Sequence, residues 1–162
     1  MLPPKQIDTT VWIFVISFFS FLVFWFLERT IGIGWYYHVD SFHYLSDYKL
    51  VLHQFESIEG VKILGKGYYI WVSIFNGEPL SIIFINGLFF SLTNIIIYRL
   101  HLLSLGGTEE NLSIFIFFIL LCPYRVHLAT TPLKETMLCL FLALFFWSAV
   151  SGKVVAFLLA SL

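Results

Sequence analysis

The sequence predicts an all-α polytopic membrane protein, and three observations carry that prediction. Of its 162 residues, 59% are hydrophobic and 12% are charged, whereas a soluble domain averages about 45–50% apolar and about 25% charged residues. The mean hydropathy is +0.90. The 19 Phe and 8 Tyr residues supply more apolar surface than a soluble fold of this length buries. We therefore expect a single membrane domain over residues 1–162.

Four stretches are apolar enough to be transmembrane helices, since about 20 residues cross a hydrocarbon core of about 30 Å. The predicted spans are residues 11–27, 80–103, 112–129 and 132–150. Pro123 interrupts the third span. A last apolar run, residues 154–162, is too short to cross and indicates a truncated fifth span. No small-residue cleavage site follows the first span, which favours an uncleaved signal-anchor.

Residues 30–79 form a long connection that is too polar to span a membrane. Its Tyr and Trp residues suit the bilayer interface, where one end of an aromatic ring is hydrated. The pattern predicts amphipathic interfacial helices over residues 40–56 and 68–75 and a turn over residues 76–79 before the second span. A cytoplasmic N-terminus makes this loop external. That orientation leaves six Lys and Arg outside and three inside, against the positive-inside rule, and we adopt it because of a family resemblance.

One stretch of this loop carries most of the candidate chemistry. In a helix, Asp40, His43, Tyr44 and Asp47 fall at i, i+3, i+4 and i+7 along one face. Two carboxylates and an imidazole on one stripe suit a divalent metal ion, with His43 as a ligand, or a general base. The alternative is a hydrated interfacial helix whose polar face meets lipid headgroups.

The remaining composition excludes some classes of partner. The formal net charge of −1 gives no basis for nucleic-acid binding. Cys122 and Cys139 lie within apolar runs, far apart in sequence, and give little support for a disulfide or a metal site.

Three segments, taken in order, carry the family resemblance. They are the signal-anchor followed by Asp40 to Tyr44, then Gly67-Tyr68-Tyr69 with Asn86-Gly87-Leu88 and Arg99, then Pro123 followed by Thr131-Pro132-Leu133-Lys134-Glu135. This order resembles the N-terminal part of a GT-C membrane glycosyltransferase, the class that uses polyprenyl-phosphate-linked sugars and includes protein mannosyltransferase-like and aminoarabinose-transferase-like enzymes. Members of that class have many more spans, so the resemblance implies a fragment, a split subunit or a degenerate relative.

The resemblance implies a role for each candidate residue. Asp40 would act at the acceptor as catalytic acid or base, with Tyr44 and Asp47 beside it as substrate-binding residues. Arg125 and Lys134 would hold the donor phosphate, and Glu135 would open the following span within the same substrate site. Headgroup contacts of the two cations, and stabilisation of Glu135 by the helix dipole, are the alternatives.

The resulting hypothesis is transfer of a sugar from a polyprenyl-phosphate carrier to a glycan, lipid or protein, in the synthesis of cell-envelope polysaccharide at a bacterial inner membrane. The alternative is a non-catalytic subunit of a larger membrane complex, with Asn86 and Gly87 in contact with its partner. A small transporter is a third possibility, although no inverted repeat is visible in the sequence.

Overall fold

The computed structural model describes residues 4–32, 39–56, 67–104 and 122–152. Within these ranges the secondary structure consists of six α-helices without a strand, so the predicted all-α class is confirmed. The helices are α1 (Pro4–Thr30), α2 (Val39–Glu56), α3 (Gly67–Ile74), α4 (Pro79–Ser104), α5 (Pro123–Ala129) and α6 (Glu135–Ser151). Helices α2 and α3 correspond to the two helices expected in the first loop.

Two of these helices are long and apolar enough to cross a membrane. The candidate segments are Thr9–Thr30 in α1 and Pro79–Leu103 in α4. Helix α6 is equally apolar but has 17 residues, fewer than a span normally needs. Most of the expected third span, and the run 154–162, lie outside the described residues. Four spans and a truncated fifth therefore stay a prediction.

Helix α4 lies between α1 and α6. Ser17 of α1 contacts Asn94, and Phe21 contacts Gly87 nearer the start of α4, so α1 runs antiparallel to α4. On another face of α4, Leu133 packs in one cluster with Ile82 near the start of α4. Residues later in α6 pack further along α4, so α6 runs parallel to it. The beginnings of α4 and α6 and the end of α1 thus lie at one end of the bundle.

The turn between α3 and α4 follows from its residue types, as predicted. Asn76 and Gly77 have positive φ angles of 52° and 71°, a conformation that Gly and Asn adopt at low cost. The Glu78 carboxylate then accepts the backbone N–H of Ser81 at 2.5 Å. This bond caps the first turn of α4, where Pro79 has no N–H to satisfy.

Much of α1 is apolar and exposed. Trp12, Phe19 and Phe26 are each 64–65% exposed, and only 17% of the apolar segment of α1 is buried within the protein. A single face of α1, including Ile13, Ser17 and Phe21, packs against α4. The outer face offers the apolar surface that lipid chains cover in a spanning helix.

Candidate functional site

Helix α2 packs on α3 through three tyrosines, which we call the tyrosine cluster: Tyr44, Tyr68 and Tyr69. The Tyr44 ring meets the ring of Tyr68 edge-on at 4.7 Å between centroids and that of Tyr69 at 5.3 Å. Tyr44 is 9% exposed and Tyr68 5%. Tyr44 therefore points into the protein, and it fixes the position of α2 by packing.

Lys134, in the turn between α5 and α6, lies against this cluster. Its ammonium nitrogen is 5.7 Å from the centroid of the Tyr44 ring, a distance at which a cation is attracted to the ring face. A side-chain hydrogen bond with Tyr44 raises the pKa of Lys134, and the negative charges of Glu135 and Asp40 raise it further. Lys134 is therefore held as a cation above an aromatic surface.

Acidic side chains influence this lysine or the tyrosine beside it through their charge. Burial raises the pKa of Tyr69, and the nearby charges of Asp47 and Asp40 add to that rise, whereas Lys134 opposes it. Glu135, the residue after Lys134, has a buried Oε2 atom with no hydrogen-bond partner within the described ranges. We call the group of Tyr44, Lys134, Asp40, Asp47 and Glu135 the lysine site. It joins five of the residues that the sequence singled out.

The four residues predicted to share one face of α2, namely Asp40, His43, Tyr44 and Asp47, differ in their exposure. His43 Nδ1 and Asp47 Oδ2 are 3.1 Å apart, and both side chains are largely exposed, 55% and 42%. Hydrogen bonds from Ser46 and His43 lower the pKa of Asp47. Asp40 is exposed in the first turn of α2. Tyr44 alone of the four faces inward, because it shares the buried side of α2 with Ser41, three residues earlier.

No group of three or more His, Cys, Asp or Glu that could hold a metal ion occurs in the part of the chain that the structure describes. His43 and Asp47 are already bonded to each other. The metal ligand role of His43 stays a prediction.

Arg125 lies in another environment. Its guanidinium carbon is 5.4 Å from the centroid of the Phe90 ring in the middle of α4. Together with Thr136 and Cys139 it lines a cavity of about 10 Å³ between α4, α5 and α6, which is the size of a single water molecule. The resemblance assigned Arg125 and Lys134 to one donor phosphate, but their side chains pack against different rings, those of Phe90 and Tyr44.

Asn86 of α4 holds the turn that carries Lys134. Its side-chain amide donates to the backbone carbonyls of Thr131 at 2.8 Å and Leu133 at 3.2 Å. Asn86 is completely buried. The subunit hypothesis placed Asn86 in contact with a partner protein. Its actual partners are backbone atoms 45 and 47 residues away, and no sequence spacing indicates such a pair.

A second polar group, Glu28, His127 and Thr130, was missed entirely by sequence reasoning. Glu28 Oε1 is 2.6 Å from His127 Nδ1, and the Thr130 hydroxyl donates to Glu28 Oε2. The one available signal was the acid in the last turn of an otherwise apolar helix, where the helix dipole disfavours negative charge. His127, 99 residues away, could not be assigned to it from sequence.

No protein-family model, curated protein or solved structure matches this chain.

Proposed function

We propose that this chain is the N-terminal part or a subunit of a GT-C membrane glycosyltransferase that takes a sugar from a polyprenyl-phosphate carrier. The observation that carries the proposal is the lysine site: a lysine held in its charged form by Tyr44, with acids on α2 and α6 beside it. A donor phosphate needs a cation, and an acceptor hydroxyl needs a nearby carboxylate.

The proposed reaction is a displacement at the anomeric carbon of the donor sugar. The acceptor oxygen forms the new glycosidic bond as the bond from carbon to phosphate oxygen breaks, and polyprenyl phosphate leaves. Asp40 takes the proton of the acceptor hydroxyl. Lys134 offsets the negative charge that develops on the leaving phosphate. The divalent metal of the sequence-based hypothesis has no assigned step, since no set of three ligands is found among the described residues.

The position of the lysine site supports a reaction at a membrane surface. Lys134 lies where α6 begins, and α4 begins and α1 ends at the same end of the bundle. If α1 and α4 span the membrane, this end meets the headgroup region, where the phosphate of a polyprenyl carrier also lies. We further propose a multi-pass protein of the bacterial inner membrane with this end on the external face.

The first test replaces Asp40 by Asn, which keeps the shape of the side chain but removes its basicity. We expect Asp40→Asn to abolish sugar transfer in isolated membranes while the protein accumulates normally, because the acceptor proton then has no base. Transfer is measured by mass spectrometry of lipid-linked sugars and of the glycan product. Glu78→Gln is the matched control, since Glu78 is an acid at the same end of the bundle whose carboxylate caps α4. Normal transfer by Asp40→Asn would remove Asp40 from the mechanism.

The second candidate function is a non-catalytic subunit, and the exposed aromatic side chains of α1 favour it. Asn86 and Gly87, expected to meet a partner, instead contact the turn before α6 and Phe21 of α1. A partner helix would therefore pack on the face that carries Trp12 and Phe19. Loss of co-purifying membrane proteins in a Trp12→Ala, Phe19→Ala double variant, together with an active Asp40→Asn variant, would favour the subunit.

A further inference from the structure

Glu28 occupies a position that its own helix does not favour. It lies in the last turn of α1, where the exposed carbonyl ends repel a negative charge. Its side chain is only 13% exposed, and placing an ionisable group beside an apolar segment costs free energy. A structural or functional contact must offset these costs.

Two contacts reach Glu28 from the end of α5. His127 Nδ1 is 2.6 Å from one carboxylate oxygen, and the Thr130 hydroxyl donates to the other. A carboxyl group has two oxygens that can form hydrogen bonds, and each of them has one of these neighbours within hydrogen-bond distance. Glu28 therefore ties the end of α5 to α1.

The tie adjoins the turn that carries Lys134. Thr130 is the residue that follows α5, and the turn runs from it to Lys134. Asn86 of α4 holds the carbonyls of Thr131 and Leu133 in the same turn. The turn is thus fixed from two sides: by a carboxylate of α1 at its first residue and by an amide of α4 further along.

We propose that Glu28 is a positioning residue: through Thr130 and His127 it holds the Lys134 turn in the place where the lysine meets Tyr44 and the donor phosphate. The role of the phosphate rests on the proposed function, whereas the coupling of Glu28 to Lys134 does not. The inference adds α1 to the elements that build the lysine site, although α1 supplies no side chain to the tyrosine cluster.

The test measures the reactivity of Lys134 in the full chain in detergent-opened membranes. Acetic anhydride labels the uncharged amine, and mass spectrometry of the digest gives the labelling rate at Lys134 as a function of pH. Glu28→Ala frees the turn, weakens the Tyr44 bond that raises the pKa of Lys134, and shifts the pH profile downward. We expect labelling at pH 8 to rise about threefold or more, because a lower pKa leaves a larger fraction of the amine uncharged.

Two controls separate positioning from general loosening. Ser17→Ala also removes a buried α1 side-chain contact with α4, but far from the turn, and it should leave the Lys134 profile unchanged. Lys49 in the same digest should keep its wild-type labelling rate. If Glu28→Ala does not accumulate, Glu28→Gln replaces it. This variant retains an acceptor for Thr130 and should give a smaller shift in the same direction.

An unchanged Lys134 profile in the Glu28 variant would overturn the proposal. An equal rise with Ser17→Ala, or at Lys49, would overturn it as well, because the effect would then be loss of structure in general. Where transfer can be measured, Glu28→Gln should raise KM for the lipid-linked donor more than it lowers kcat. A shifted labelling profile in membranes whose wild-type chain transfers no sugar from a polyprenyl-phosphate donor would refute the proposed function and leave the positioning role standing.

Discussion

The two halves of α4 use the same residue type for different purposes. Asn86, in the first half, donates to two backbone carbonyls of the turn that presents Lys134. Asn94, two turns further on, donates to the hydroxyl of Ser17 at 3.1 Å, and Ser17 in turn donates to the carbonyl of Ile13. Both asparagines are completely buried. The first fixes a turn that belongs to a candidate site, and the second joins two helices.

This difference shows that the role of a buried side-chain amide depends on the group to which it donates its hydrogen bond. A backbone carbonyl in a turn has no helical partner of its own, so an amide that binds it determines the path of the chain. A serine hydroxyl already bonded within its helix can lose the asparagine at small cost. In the second half of α4, Ile13 and Tyr98 form the adjoining apolar cluster, and this region serves packing.

The largest expected effect in this comparison comes from Asn86→Ala. The Leu133 carbonyl loses its Asn86 donor and a cavity remains, whereas the Thr131 carbonyl keeps the Leu133 N–H at 2.8 Å. We expect a loss of about 2–4 kcal/mol in the free energy of unfolding. Asn94→Ala also leaves a cavity, but Ser17 keeps its bond to the Ile13 carbonyl, so we expect a smaller cost of about 1–2 kcal/mol. SDS-induced unfolding in mixed micelles, followed by tryptophan fluorescence, measures both.

Similar costs for the two asparagine variants would break this comparison. Labelling of Lys134 provides a second criterion, since Asn86→Ala should raise it and Asn94→Ala should not. A rise in both variants would show that the two halves of α4 act on the turn together.

A smaller effect is expected from Gly87→Ala, which tests how closely α1 approaches the first half of α4. A Cβ atom at residue 87 would lie 2.5 Å from Cε1 of Phe21, so the ring or the helix must move. We expect a cost of about 1–2 kcal/mol in the same unfolding assay, as for other overpacked interiors. Combining it with Phe21→Leu should recover part of the loss. No recovery would mean that the backbone, not the ring, takes up the strain.

The smallest effect on stability is expected from Tyr44→Phe, which tests the role of the tyrosine cluster. The ring packing on α3 is retained, but the hydroxyl that raises the pKa of Lys134 is lost. The Lys134 labelling profile should therefore move to lower pH. In the wild type, the raised pKa of Lys134 stabilises the fold at pH values below its unfolded pKa of about 10.5. This contribution is lost as the pH rises through the folded pKa. The small loss of stability caused by Tyr44→Phe should therefore vanish in strong alkali. Tyr124→Phe, at a side chain that is 68% exposed, is the control. It should change neither the labelling profile of Lys134 nor the stability of the fold.

The helices were largely predictable, and the site was predictable in part. Apolar runs between polar breaks located α1, α4 and α6, and the period of Asp40, Tyr44 and Asp47 located α2. The grouping of Lys134 and Glu135 with these residues followed only from the family resemblance. Their contact with Tyr44 depends on how α2 and α3 fold back on the start of α6, and no local pattern encodes that approach.

The sequence by itself determined the all-helical class, the two long apolar helices and the turn at Asn76 and Gly77, because helix propensity, side-chain hydration and φ preferences act within a few residues. Only the tertiary structure decided that Glu28 bonds to His127 and Thr130, that Asn86 holds the Lys134 turn, and that Arg125 packs apart from Lys134 on Phe90. Each of these contacts joins residues 35 to 102 positions apart. The free energy of such a contact depends on how whole helices pack, and local sequence patterns do not specify that packing.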